Sequence, residues 1–396
     1  MPHPKFHSFA VHPGDYPPAR VPILPVSVRS ALLGRGTPLV PSAFLGKKLT
    51  FFPFSRYALA EALRRAGVGE GTAVLLPAFH CRSLVEPAMH LGAEIRFYPV
   101  NADLSPAFTS IRDLAADGKV RAMVLTHYFG FVNALDEAQS FCAEQGIALV
   151  EDCAHAFYGR HRDTPLGTVG SYATASAWKF FPIRDGAMLR DNTGAPPAKL
   201  SSPSAMTELK ACAALLEGGL KKIAHRGEPL PAIDGTELAT RARVLAHRLT
   251  EEGGGDQGTP TYQPEFSHRS GLRASRALVS RMAHGRIAEF RRDNYLRWLK
   301  GTHGLAGVRP LFAYLPDGVV PYAFPLLGDA EGKLFHALKL AGIPLWRWED
   351  MAVTDCPISL EYRLRLLQLP CHQELMASEI DWMLAVLKSV SPGLAG

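Results

Sequence analysis

Two residues of opposite charge each follow a short apolar run. Asp152 comes just after Ile147 to Val150 and Glu151, and Lys179 comes just after Tyr172 to Ala177 and Trp178. An amine and a carboxylate carried on two strand ends can act on one molecule. The amine can condense with a carbonyl carbon, and the carboxylate can hold a proton on a ring nitrogen. Taken singly, each has a plainer reading: a strand-end Asp is usually a cap, and a lysine beside aromatic residues usually carries its ammonium out to solvent. Only the combination points to chemistry. Pyridoxal phosphate needs that pair and an anion site, and Ser55 and Arg56 open an expected helix whose first N–H groups suit a phosphate.

The elements that must position these groups follow from periodicity. Residues 1 to about 50 are proline-rich and aperiodic, which predicts an extended arm without catalytic groups. Regular structure is expected from Ser55, whose hydroxyl would cap a helix with Ala58, Leu59, Ala62 and Leu63 inward and Gly67 ending it. Strands are expected at 73–76, 94–100, 121–126, 147–150 and 172–177, and helices at 83–91, near Ile111, and from Asn133 or Asp136 to Gly146. This alternation predicts an α/β fold with a mostly parallel sheet, whose carboxyl edge is where ligands bind. Glu151 and Asp152 fall on that edge.

Beyond Asn192 the composition turns to Pro, Gly, Ser and Ala, with helical pieces at 206–216 and 237–250 and a mobile tip expected at Gly253 to Gly255. One long helical pattern is expected from Gly271 to Leu299, then a strand at 322–327 and helices at 334–341 and 378–388. The expected division is an arm over 1–50, a large cofactor-binding domain over 51–265 and a smaller α+β domain over 266–396.

Composition closes other routes. The chain of 396 residues is 47% hydrophobic and 20% charged, with no apolar run of membrane-spanning length and no apolar block near its start, so a cytoplasmic location is expected. Six scattered cysteines without a CxxC pair suggest neither a disulfide framework nor structural zinc, and Cys153, His155, His80 and Cys81 lack the spacing of common metal sites. The net charge of +6 is spread along the chain. The arginines between 286 and 297 fit a helix with Tyr295, Leu296 and Leu299 inward better than a nucleic-acid platform. The glycines at 67, 69 and 71 follow a helix and precede a strand, the reverse of a dinucleotide-binding order, and read as a turn.

Several stretches resemble the DegT/DnrJ/StrS-type sugar aminotransferases. They are Leu76 to Ala93, Ala122 to Gly130 with its Thr126-His127-Tyr128-Phe129, Val150-Glu-Asp-Cys-Ala-His-Ala156, and Ser176-Ala-Trp-Lys179 through Ala187. Arg291 to Tyr295, Ala341 to Glu349 and Leu367 to Leu375 are similar to the family's small domain. Trp346 and Trp348, in the second of these, are read as packing residues.

The resemblance implies the pyridoxal-phosphate transferase fold of type I, with a mostly parallel sheet sandwiched by helices and a smaller α+β C-terminal domain. It implies Lys179 as the Schiff-base lysine, Asp152 as the partner of the pyridine nitrogen, and His155 against the ring. His80 and Cys81 occupy the place of an aromatic residue that stacks on the ring in relatives, and the family's Gly-Thr at the phosphate helix reads Ser55-Arg56. The phosphate hydroxyl is Ser176 by preference, with Thr174 in reserve. The implied reaction passes an amino group from an amino acid, glutamate by resemblance, to a keto sugar, nucleotide-linked in most relatives, in a homodimer. The shortened loop after Lys179 and the dissimilar segment 192–263 keep two alternatives open: a cofactor-binding regulator without activity, or an enzyme acting on a non-sugar ketone.

Overall fold

The computed structural model describes residues 4–7, 13–26, 40–225, 230–231, 234–251 and 261–394. The expected tip at Gly253 to Gly255 lies outside them.

The large domain runs β1 (Leu49–Phe52), α1 (Ser55–Arg65), β2 (Ala73–Pro77), α2 (Arg82–His90), β3 (Glu94–Tyr98), α3 (Phe108–Ala115), β4 (Val120–Thr126), α4 (Leu135–Gln145) and β5 (Ala148–Cys153). A small hairpin, β6 (Arg160–His161) and β7 (Thr164–Pro165), precedes β8 (Tyr172–Ser176) and β9 (Ala187–Asp191). Seven of these strands form one sheet in the order β1-β9-β8-β5-β4-β2-β3. Its pairings are parallel except those of β9, which runs against both neighbours. β2 lies between β3 and β4, so the chain leaves β2 toward one edge and returns on its other side. That reversal opens a crevice beyond the carboxyl ends of β2 and β4.

Strand alternation divides the core in two. Val74, Leu76, Ala122 and Val124 pack with Ala58, Leu59, Ala62 and Leu63 of α1, whereas Leu75, Met123, Leu125 and Leu149 pack with Ile111 of α3 and with Ala138 and Phe141 of α4. Helices therefore cover both faces, as the apolar runs predict.

The rest of the chain carries α5 (Ala205–His225), α6 (Gly235–Glu251), α7 (Arg273–Val279), α8 (His284–Thr302), β10 (Arg309–Pro310), β11 (Ala323–Leu327), α9 (Lys333–Leu340), α10 (Pro357–Arg365), β12 (Leu366–Pro370) and α11 (Ala377–Leu394). β10, β11 and β12 form an antiparallel sheet contacted by α8 and α10, and α11 packs on α8. α6, from the span expected to belong to the large domain, packs against α9 and α11 instead. Gly235 makes this possible, since a Cβ there would collide with the backbone of Ser389.

The structure corrects several expectations. The first strand among the described residues, Leu49–Phe52, starts inside the expected arm, because β1 finds a partner in β9, a strand the sequence reading missed. The cap of α1 is Phe54, without a side-chain bond, and Ser55 is already the first helical residue, so its hydroxyl is not the cap. The single helix expected from Gly271 is two, α7 and α8, with a break over 280–283. Leu296 is 48% exposed rather than inward. Among the described residues no helix is long and apolar enough to cross a membrane. The arginines of α8 bind the protein itself: Arg291 and Arg292 reach backbone carbonyls, and Arg297 pairs with Asp381 at 2.6 Å.

Candidate functional site

Lys179 and Asp152 line one cavity at the carboxyl edge of β2, β4, β5 and β8. Ser55, Arg56, His80, Cys81, His155 and Thr174 line it with them. Ser176 does not, although it faces the same side of β8 two residues on, with its Oγ buried and unpartnered. Of the two hydroxyl candidates, Thr174 is thus the one at the cavity wall. The sequence reading overlooked Thr126 and Tyr128, contributed by the switch in strand order, and treated Trp348 as packing. The indole of Trp348 also lines the cavity and, among the described residues, is the only lining group from beyond β9. The residue types following β4 were a usable signal; for Trp348 the sequence held none, since only tertiary folding brings it across.

β5 places two acids back to back. Asp152 Oδ1 accepts from the Ala154 N–H at 3.0 Å, and the Thr126 hydroxyl stands 3.4 Å from Oδ2. Burial pushes its carboxyl above the usual range, against that N–H and the charge of Lys179. Glu151 points to the other face, away from the cavity. Its carboxylate accepts from Gly167 N at 2.9 Å, Val169 N at 2.9 Å and Gly170 N at 2.7 Å, and faces His127 Nε2 at 3.2 Å. Burial alone would raise Glu151, yet the bonds from His127, Gly170 and Gly167 hold it below the usual range. Because His127 Nδ1 accepts from Asn133 N, the network assigns its proton to Nε2. His127, Glu151 and Cys153 bring potential metal-ligand atoms within 4.8 Å of one another, but the carboxylate is already saturated by N–H donors, and Glu151 with His127 and the 167–170 loop reads as a hydrogen-bonded clasp.

Lys179 emerges from a short turn (Ala177–Lys179) after β8, and burial pushes its amine below the ordinary lysine value. Its Nζ lies 5.2 Å from the centre of the Tyr322 ring, and that ring stacks on His155 at 4.4 Å. His155 Nδ1 accepts from Phe129 N at 3.4 Å, and burial holds the imidazole neutral, well below its ordinary value. Phe129 itself adopts φ 57°, a conformation uncommon for a non-glycine residue, and Trp348 closes over Phe129 and His155.

Opposite these groups, the first turn of α1 opens onto the cavity. Arg56 donates to the Thr261 carbonyl through Nη1, while its Nε is buried without a partner. His80 Nε2 and Thr174 Oγ1 are likewise unpartnered, and burial pushes His80 down to about 4. Buried polar groups are nearly always satisfied, so such a concentration at one wall marks a place for a polar ligand.

A sequence profile of the DegT/DnrJ/EryC1/StrS aminotransferase family matches residues 56–189, the stretch that supplies most of this cavity. Among curated relatives, 3-amino-5-hydroxybenzoate synthase of Amycolatopsis mediterranei is 34% identical over 122 residues, 30% of this chain and 31% of its own length. L-glutamine:scyllo-inosose aminotransferase of Streptomyces griseus is 30% identical over 118 residues, 29% of this chain and 27% of its own. These alignments thus span about a third or less of each relative. The likeness in fold extends much further. The crystal structure of an aminotransferase from Streptoalloteichus hindustanus superposes with a TM-score of 0.61 over 88% of this chain and 86% of that one, at 22% identity. The chain therefore has the type I transferase fold expected from its sequence.

Proposed function

We propose that this protein is a pyridoxal-phosphate aminotransferase that moves an amino group from an amino-acid donor, glutamate or glutamine, to a cyclic ketone of the keto-sugar or keto-cyclitol class. The observation that carries this reading is the convergence of Lys179, Asp152 and an open helix N-terminus on one cavity. Glutamine and a cyclitol ketone enter because both appear in the name of the Streptomyces griseus relative. A nucleotide-linked acceptor remains the finer form of the proposal.

The residues fit the cofactor on three counts. Asp152 is an acid raised by burial that lacks a cationic hydrogen-bond partner, which a protonated ring nitrogen would supply. The wall formed by Arg56, Thr174 and the first N–H groups of α1 offers unspent donors for a phosphate. The neutral imidazole of His155 presents a flat face beside the amine. When bound, the cofactor supplies a carbonyl carbon that exchanges amines and a ring that accepts the electron pair left when a C–H bond breaks.

The chain's own part is then proton management. Asp152 would keep the ring nitrogen protonated. Lys179 would hold the cofactor's carbonyl carbon and, when free, would serve as the base that carries a proton from the donor's α-carbon to that carbonyl carbon, a task suited to an amine whose basicity burial has lowered. The aromatic wall of Tyr128, Trp348 and Tyr322 excludes water from this exchange. Two half-reactions on one site predict ping-pong kinetics. A homodimer in the cytoplasm belongs to the same proposal; Met206 and Leu209 on α5, 59% and 64% exposed, are consistent with a further subunit contact.

Purified protein given the cofactor should turn yellow, and the colour should bleach with glutamate or glutamine. Lys179→Ala should take up the cofactor and the donor, keep its colour instead of bleaching, and turn over negligibly. A parent protein that stays colourless with added cofactor would sink the reading and favour a regulator without this chemistry.

A further inference from the structure

Arg291 is fully buried on α8, 0% exposed, and among the described residues its guanidinium bonds to no carboxylate. All five N–H groups are nonetheless used. Nε donates to Gln373 Oε1 at 2.9 Å. Nη1 donates to the carbonyls of Pro321 and Tyr322, both at 3.1 Å, and Nη2 to those of Lys179 at 3.0 Å and Phe180 at 3.4 Å. The guanidinium also lies 4.5 Å from the centre of the Phe180 ring, and Gln373 Nε2 closes the circuit by donating to the Phe180 carbonyl at 2.9 Å.

These acceptors come from both domains. Lys179 and Phe180 follow β8 of the large sheet, whereas Pro321, Tyr322 and Gln373 flank β11 and β12 of the small one. Tyr322 is the ring against which the Lys179 amine rests. One planar fork thus grips the peptide of the lysine and the peptide of the ring that cages its amine. A lysine in place of Arg291, with its three donors on one atom, could not span these acceptors.

We infer that Arg291 is a positioning residue for Lys179, and that through it any movement of the small domain is passed to the reactive amine. The inference rests on the reading of Lys179 as the reacting amine. Freed from the fork, the Lys179 peptide would drift, its amine would gain water, and its basicity would return toward that of an ordinary lysine.

The test uses Arg291→Lys, and Gln373→Ala as a milder variant that leaves the arginine in place. In full-length protein stripped of cofactor, the pH dependence of Lys179 labelling by an amine-reactive reagent is followed by mass spectrometry. Labelling of Lys179 in Arg291→Lys at pH 8 should fall about tenfold, the effect of a one-unit rise, and Gln373→Ala should shift it in the same direction by less. In the loaded protein, kcat should drop about tenfold or more while the donor KM stays within about threefold. A purely structural role would lower the melting temperature and leave the titration of Lys179 where it is. Unchanged titration in Arg291→Lys overturns the inference, and if that variant does not fold, unchanged titration in Gln373→Ala does so. Because labelling is read without cofactor, this failure is distinct from a parent protein that never turns yellow.

Discussion

Replacing Glu151 by Gln tests whether the acid behind the cavity holds the site together. Oε1 of Glu151 accepts from the N–H groups of Val169 and Gly170, and Oε2 accepts from Gly167 N and faces His127 Nε2. A glutamine can keep the first pair through its carbonyl oxygen. Its NH2 then points at two donors. His127 cannot relieve the conflict by moving its proton to Nδ1, because Nδ1 accepts from Asn133 N. Two buried donors are stranded at roughly 1–3 kcal/mol each, so Glu151→Gln should cost about 2–6 kcal/mol. Urea unfolding at pH 7 reads this directly. The pH dependence has a definite sign: Glu151 is held below its ordinary value of 4.5 in the fold, so its stabilisation is complete above that value and is lost as pH falls through the lower folded one. The gap between parent and variant should therefore be full at neutrality and close under acid conditions. A variant within about 0.5 kcal/mol of the parent at pH 7, the range of an ordinary surface change, would refute the clasp.

Asp152→Asn should still take up the cofactor but transaminate about 10²–10³ times more slowly, the usual effect of deleting one preorganised electrostatic partner; single-turnover bleaching with glutamate measures it. Trp348→Ala should raise the KM for the ketone acceptor about tenfold, on the scale of one lost apolar contact surface, and should also slow bleaching by the donor, because water then reaches the same cavity. Gly130→Ala should destabilise the protein by at least about 2 kcal/mol. Gly130 holds φ +100°, and a Cβ there would collide with the carbonyl of Val320, next to the segment that carries Tyr322. Thermal unfolding checks it.

What the sequence disclosed tracks what local physics controls. The inward faces of α1 and α4 were legible because their period is helical: Leu135, Ala138, Phe141 and Cys142 are the buried positions of α4 as expected. The strand-end positions of Lys179 and Asp152 were legible because each follows a short apolar run. β9 was not, since Ala-Met-Leu-Arg-Asp is short and one of its two partners, β1, is distant in sequence. Nor was the attachment of α6 to the small domain, which depends on the fit of Gly235 against Ser389. Tyr322 and Arg291 escaped notice for a related reason. Arg291 bonds to the main-chain carbonyls of Lys179 and Phe180, and main-chain acceptors leave no signature in residue types; Tyr322 meets the Lys179 amine through its ring, from a distant segment.

The adjacent acids of β5 show how one strand can supply both rigidity and reactivity. Alternation sends Glu151 and Asp152 to opposite faces, and their surroundings push them in opposite directions. Glu151 meets four donors and is fixed as an anion, so the loop at 167–170 that feeds β8 is tied to β5. Asp152 receives one N–H bond and a long hydroxyl contact, so its carboxyl retains capacity for a cation not yet supplied. Stability is thus spent one residue away from where it would impair function. Exchanging the two acids' roles by supplying Asp152 with further donors should lower its carboxyl toward the ordinary range and weaken its hold on a proton shared with a bound ring nitrogen.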